Sequence, residues 1–405
     1  MYLTHLSLTN FRNFTRLDMD IPRGSTLLVG DNAQGKTSLL EAMYFAATFT
    51  SFHADSDREM INFLSARDPL AVARIVIDFY RGEAHHHLEA RIIQEPAEFN
   101  HTSRVRKEVL LDGVKSKVNE VVGQFSAVLF LPQMLTIIEG APDERRRYLN
   151  LALSQVVTHY PASLAEYTRT LGQRNALLKQ LSERGGDQAQ LDFWDNQLVT
   201  LGAQLIHARI HAIGELERLA ARLHRQLTRG DEVLRLNYLP SYDPLPPPVG
   251  QYALPLDTPL DRSKISQEQI RTGFLEKLRQ ARTEEIARGL TTLGPHRDEL
   301  RFLGNGVDLG TYGSRGQVRT AMLALKLAEV AWIKEKTGHW PVLLLDEVLA
   351  ELDAQRRLDL LSRLSECDQA LLTTTDLDLF TPEFTRQSSL WMVRSGTVLV
   401  DRISI

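Results

Sequence analysis

One cysteine, Cys367, stands among 405 residues. A single thiol excludes an intramolecular disulfide framework and suits a reducing compartment. No stretch of 18 apolar residues occurs, so no segment reads as a membrane-spanning helix. The opening Met1-Tyr2-Leu3-Thr4-His5-Leu6 lacks the basic stretch that begins an export signal. The expectation is therefore a cytoplasmic protein. Neither charge dominates, with 47 basic against 51 acidic residues and a net charge of −4. The overall balance does not advertise nucleic acid, so any DNA contact must come from a local basic surface. Internal repeats are absent. Hydrophobic residues make up 43 % and charged residues 24 %, ordinary globular values with room for two or three domains.

What the chain does hold is a split nucleotide site. Gly30-Asp31-Asn32-Ala33-Gln34-Gly35-Lys36-Thr37, followed by Ser38, reads as Gly, four residues, Gly-Lys-Thr. It follows the apolar run Thr26 to Val29 and leads into an apolar-periodic stretch from Leu39 to Phe45. That is the strand–loop–helix context of a phosphate-binding loop. Glycines let backbone N–H groups curl around phosphate, and a helix N-terminus favours negative charge. Lys36 reaches for the β- and γ-phosphates, and the Thr37 hydroxyl can ligate Mg²⁺.

The second half lies near the other end of the chain. Val342-Leu343-Leu344-Leu345 is a continuous apolar run, the pattern of a buried parallel strand. It ends in Asp346-Glu347. A carboxylate there can hold Mg²⁺ opposite the loop threonine, and the next one can orient or deprotonate a water. Upstream, Tyr312-Gly313-Ser314-Arg315-Gly316-Gln317 precedes a helix-like stretch from Arg319 to Lys334. Downstream stands Ala350-Glu351-Leu352-Asp353. Each piece alone is weak, and a Ser-x-Gly-Gln turn suits many helix caps. Their order and spacing together are specific.

Other segments carry a resemblance: Asn10-Phe11-Arg12-Asn13-Phe14, Gly140-Ala141-Pro142-Asp143-Glu144-Arg145-Arg146-Arg147 and Gly294-Pro295-His296-Arg297-Asp298. With the phosphate loop and the carboxylates they span nearly the whole chain. The sequence resembles the ATP-binding-cassette ATPases, within them the DNA-repair branch of RecF, Rad50 and SMC proteins, and most of all the RecF family of bacterial recombination mediators. The resemblance implies an α/β ATPase head of mixed sheets with flanking helices and an inserted α-helical arm. It implies ATP and Mg²⁺ as cofactors and an ATP-dependent, head-to-tail homodimer. Lys36 would bind phosphate, Thr37 and Asp346 would hold Mg²⁺, and Glu347 would activate water. Ser314, Gly316 and Gln317 form the signature, which would meet the γ-phosphate of the second subunit's ATP. Asp353 would lie at the dimer seam, and Arg12 near the nucleotide. Gln133 reads either as the lobe-linking glutamine that senses Mg²⁺ or as an ordinary loop residue. The resemblance also implies binding to double-stranded DNA at single-strand gaps, cooperation with RecR and RecO to load RecA, and hence repair, fork recovery and the SOS response at the nucleoid.

Two departures stand out. Gly313 occupies the first signature position, where transporter ATPases usually carry leucine. The γ-phosphate histidine expected after the next strand is replaced by Thr373-Thr374-Thr375-Asp376. A threonine hydroxyl donates one hydrogen bond but carries no charge, so slow, DNA-stimulated turnover is expected.

The remaining pattern places the site. Residues 1–130 read as strand-rich, with a primed turn at Asp112-Gly113. Leu164, Tyr167, Leu171, Leu178 and Leu181, then Leu191, Trp194, Leu198, Leu201, Leu205 and Ala208, follow helical spacing around a tip at Ser182 to Asp187. The second of these helices spans about 40 residues, roughly 60 Å. Seven of sixteen prolines fall between Pro240 and Pro259, which excludes a helix there. Ser266-Gln267-Glu268-Gln269 opens another helix with a capping box, and Gly289 ends it. The expected division is head 1–150, arm 151–290 and head 291–405. For DNA the basic candidates are Arg145, Arg146 and Arg147, which read equally as partners of Asp143 and Glu144, and Arg104, Arg106, Lys107, Lys115 and Lys117 around the hairpin. His296 reads as packing or catalytic. His85-His86-His87 cannot present one metal face on a strand. Rival functions are a cassette ATPase serving transport, opposed by the inserted arm, and a non-catalytic scaffold glued by ATP, opposed by Asp346 and Glu347.

Overall fold

The computed structural model describes residues 1–95, 104–245 and 261–401. The chain forms two compact units, residues 1–134 with 329–405, and residues 135–328. The inserted unit thus runs from 135 to 328, where the sequence pattern drew an arm from 151 to 290.

The first unit is built on two six-stranded sheets. One is antiparallel, in the order Phe14–Asp20, Tyr2–Phe11, Val72–Arg81, Ala84–Glu95, Arg104–Leu111, Val114–Ser116. Its inward face follows period two: Ala71, Ala73, Ile75, Ile77 and Phe79 are all buried. Asp112 and Gly113 take positive φ of 51° and 79° and join Leu111 to Val114, the primed turn that matches strand twist.

The other sheet runs Thr397–Asp401, Ser389–Arg394, Gly24–Val29, Gln369–Thr374, Val342–Asp346, Ala127–Phe130. Its last five strands are parallel. Leu343, Leu344 and Leu345 are buried on both faces, which explains their unbroken apolar run. The carboxyl ends of neighbouring parallel strands share one edge, the place where open α/β sheets bind ligands. Val29, Thr374 and Asp346 all end there. A cluster including Leu39, Phe45, Phe79, Leu129, Leu344 and Trp391 joins the two sheets and the helix Lys36–Thr48 into one core.

The second unit holds the helices Pro142–Val156, Tyr160–Arg184, Leu191–Leu227 and Gln267–Arg288 and a three-stranded sheet. The second long helix has 37 residues. Ser266 and Gln269 exchange backbone and side-chain bonds, and Gly289 closes that helix at φ 66°. A Cβ on Gly202 would meet Phe274 at 2.7 Å, so this glycine lets two helices approach closely. Leu191, Leu198 and Leu205 are buried, but so are charges within the same packing. Arg174 pairs with Asp195 at 2.8 Å and Glu285 at 2.7 Å, all three fully enclosed. Of the proline-rich stretch, residues 246–260 lie outside the described residues.

Candidate ATP site

The phosphate loop bridges the strand Gly24–Val29 and the helix Lys36–Thr48. Its tightness is steric. A Cβ on Gly30 would sit 2.3 Å from the Val393 carbonyl oxygen, and one on Gly35 would sit 2.5 Å from Asn13 Nδ2. Gly35 also has φ 111°, a region open to glycine. Residues Asn32 to Ser38, with Asn13 and Glu347, line a cleft of about 230 Å³. Lys36 is 4 % exposed, and its Nζ donates to the carbonyls of Gly30 at 2.5 Å and Asp31 at 2.9 Å. Burying an ammonium without partners is costly; here the loop's own oxygens hold the charge at its mouth.

The carboxylates arrive on the adjoining strand end. Thr37 Oγ1 lies 3.0 Å and 2.9 Å from the two oxygens of Asp346. A hydroxyl and a carboxylate converging at this range are hard oxygen donors of the kind Mg²⁺ takes, with substrate phosphates completing its shell. Glu347 follows with φ 51°, a left-handed turn that costs a non-glycine residue energy. The turn brings its Oε1 to 3.4 Å from Lys36 Nζ.

The threonines that replace the switch histidine divide their tasks. Thr373 is buried, and its hydroxyl donates to Asp346 Oδ1 at 2.7 Å while accepting from the Glu347 amide at 3.0 Å. Thr374 donates to the Asp376 carbonyl at 2.7 Å. Both hydroxyl protons are thus taken up by acceptors of the protein itself. Only Thr375 is exposed.

Of the loop's partners, Asn13 lies in the Asn10–Phe14 segment, whereas Ser395 and Gly396 carried no sequence signal of their own. Asn13 Nδ2 donates to the Gln34 carbonyl at 3.3 Å, and the Ser395 amide donates to Gln34 Oε1 at 2.7 Å. The Gly396 amide donates to the Gln34 carbonyl at 3.0 Å. The resemblance placed Arg12 near the nucleotide. The structure instead spends its guanidinium on Glu41, bidentate at 2.7 Å and 2.7 Å, and on the Glu59 carbonyl. Glu41 lies on the loop helix, so Arg12 braces that helix.

In the second unit, the signature opens the helix Arg315–Thr337. The Ser314 amide donates to Gln317 Oε1 at 2.9 Å, and the Gln317 amide donates to Ser314 Oγ at 3.2 Å. This reciprocal capping box leaves the serine hydroxyl proton to donate outward. Ser314, Arg315 and Gly316 are exposed. Gln317 is turned inward: its Nε2 donates to Glu232 at 2.9 Å. Its side-chain amide is thus engaged within the unit. Gly313 has a steric reason, since a Cβ there would lie 2.5 Å from the Leu309 carbonyl oxygen; leucine does not fit.

Gln133 is exposed in the single turn Pro132–Leu135 and does not line the cleft. Asp353 is exposed and caps the helix Ala354–Leu364, accepting from the Arg356 amide at 2.9 Å. That bond, with the Arg356 guanidinium beside it, holds its carboxyl below the usual range.

The arginine run is corrected in part. Arg145 is buried and pairs with Glu299 at 2.6 Å and 2.8 Å, and it also donates to the Gly140 carbonyl. It cannot reach a DNA phosphate without breaking that pair. Arg146 is half-buried and donates to the Asp298 carbonyl at 2.9 Å, and Arg147 is exposed. Around the hairpin, Arg106 and Lys115 meet Glu108 at 2.7 Å and 2.6 Å, and Lys107 meets Asp57 at 2.9 Å. The side chain of Arg104 lies outside the described residues. His296 bonds the Tyr167 hydroxyl at 2.7 Å, and burial pushes its pKa down to about 4. Asp298 accepts from Arg209, Tyr238 and the Ser241 amide, so the 294–298 segment is a packing hub. His86 bonds Asp112 and His87 bonds Asp78.

A family profile described as RecF/RecN/SMC N terminal domain matches residues 2–397. The DNA replication and repair protein RecF of Roseiflexus castenholzii is 40 % identical over 98 % of this chain and 99 % of its own. The chain belongs to the RecF family. The RecF of Bacillus subtilis is 34 % identical over 98 % of this chain and all of its own. A solved structure of the recombination mediator protein RecF with ATP matches with a TM-score of 0.81 at 28 % identity, over 98 % of this chain and 99 % of that one. An Smc head bound to a winged-helix domain matches at a TM-score of 0.51 and 15 % identity, which shows the shared ABC-type ATPase fold alone. RecF membership accounts for the order in which loop, signature and carboxylates occur along the chain.

Proposed function

We propose that this protein is an ATP-dependent DNA-binding mediator of recombinational repair and replication-fork recovery. The observation that carries the reading is the convergence of Lys36, Thr37, Asp346 and Glu347, two residues of the cleft's loop bonded or paired to two carboxylates more than 300 positions away. Lys36 withdraws from its loop carbonyls to bind the β- and γ-phosphates. Thr37 and Asp346 hold Mg²⁺, which supplies charge neutralisation at the transferring phosphoryl group. Glu347 orients the attacking water.

The exposed Ser314 and Gly316 then serve a second copy. The N-terminus of a 23-residue helix favours an anion, and the serine proton is free to meet the γ-phosphate across the interface. ATP acts as adhesive between two head-to-tail copies closed on duplex DNA beside single-strand gaps. Slow hydrolysis releases them. The relatives' names, a DNA replication and repair protein and a recombination mediator in the RecFOR pathway, support cooperation with RecO and RecR. Among the described residues no helix is long and apolar enough to cross a membrane, and the inserted 135–328 unit is foreign to a transport cassette.

Phosphate release tests the enzymatic part. The wild type should release phosphate slowly and faster with DNA, and Glu347→Gln should abolish release while still binding ATP. Undiminished release by Glu347→Gln removes the assigned water activation.

A further inference from the structure

We infer that Thr373 is the positioning residue that sets both carboxylates of the ATP site. Its strand, Gln369–Thr374, lies between the two halves of that site and pairs in parallel with each. Thr373 stands opposite Asp346 on one side and Leu28 on the other. It is 3 % exposed, so its hydroxyl works without competition from bulk water.

A hydroxyl has one proton to give and lone pairs to accept with, and this one uses the two functions on two consecutive residues. It donates to Asp346 Oδ1 at 2.7 Å and accepts from the Glu347 N–H at 3.0 Å. The first bond fixes the rotation of the Asp346 carboxylate, which places its two oxygens 3.0 Å and 2.9 Å from Thr37. The second secures the backbone at Glu347, whose φ of 51° needs a compensating contact. That φ aims the Glu347 side chain back toward Lys36. One buried hydroxyl therefore orients the proposed metal ligand and the proposed water-activating base together. Valine has the same shape and neither function.

The inference rests on the proposed ATPase reading, and its test separates the two. Binding of a fluorescent ATP analogue is titrated with Mg²⁺, and phosphate release is measured beside it, for wild type, Thr373→Val, Thr373→Ser and Thr373→Ala. Thr373→Val should raise the Mg²⁺ half-saturation and lower kcat, each by about tenfold, the order expected when a hydrogen bond to a charged group is lost. Nucleotide binding without Mg²⁺ should stay unchanged, and Thr373→Ser should restore both quantities. If valine prevents folding, alanine replaces it in the comparison. Unchanged Mg²⁺ half-saturation in the folded valine or alanine variant overturns the inference, as does a serine variant as impaired as they are, which would make the role one of shape. If the wild type itself hydrolyses nothing, the enzymatic reading falls, and the Mg²⁺ titration still decides the role of Thr373.

Discussion

Lys36 Nζ lies 3.4 Å from Glu347 Oε1, though the two residues come from opposite ends of the chain. The same ammonium donates to two carbonyls of its own loop. It is therefore a cation already desolvated and held by the loop's own oxygens. Lys36→Met should weaken ATP binding by about 10–100-fold, the scale of charge-assisted hydrogen bonds, with little change in melting temperature. A nucleotide titration checks this, and an unaltered affinity contradicts it.

Arg145 should behave as a structural residue. Its pair with Glu299 is largely buried, and removing one partner of such a pair costs about 3–5 kcal/mol. Arg145→Ala should lower stability on that scale in a denaturant titration. Arg147 is exposed, and Arg147→Ala should cost far less, no more than the roughly 1 kcal/mol of an exposed charged contact. A DNA-binding loss confined to Arg145→Ala, in a protein of full stability, would contradict this division.

Acid should destabilise the second unit through His296. Burial lowers its pKa from the ordinary 6.5 to about 4. The unfolded chain therefore binds a proton first as pH falls, so stability declines between pH 6.5 and about 4. Above 6.5 both states are neutral and the contribution is flat. His296→Asn should remove that part of the slope in melting temperature against pH. A variant with the wild-type slope places the titration elsewhere.

Ser314 has two separable tasks. As a helix cap it contributes about 1 kcal/mol, so Ser314→Ala should cost that much stability. As the signature serine it should also weaken ATP-induced self-association while ATP binding to the monomer persists. Analytical ultracentrifugation with ATP and Mg²⁺ reads the second effect. Normal association by Ser314→Ala leaves only the cap.

Much of this was legible in the sequence because local chemistry repeats. The glycine spacing fixed the loop, the run from Val342 to Leu345 fixed a doubly buried strand, and Ser266 with Gln269 fixed a helix start. Partners distant in sequence were not legible. Nothing local says that Arg145 meets Glu299, that Arg12 braces Glu41, or that Arg174 is enclosed by Asp195 and Glu285. A charged residue looks solvated until its counter-charge is brought to it, so basic runs overstated the surface open to DNA. Thr373 looked like a weak substitute for histidine because the strand pairing that puts it beside Asp346 is tertiary.

In the proposed cycle, ATP closes this protein on DNA. The most direct test of that closure is binding of the Glu347→Gln protein to gapped duplex DNA with ATP-Mg²⁺ and with ADP-Mg²⁺, across a salt series. Tight, salt-sensitive binding is expected with ATP and weak binding with ADP. Equal binding in both nucleotides, or none in either while ATP remains bound, would contradict it.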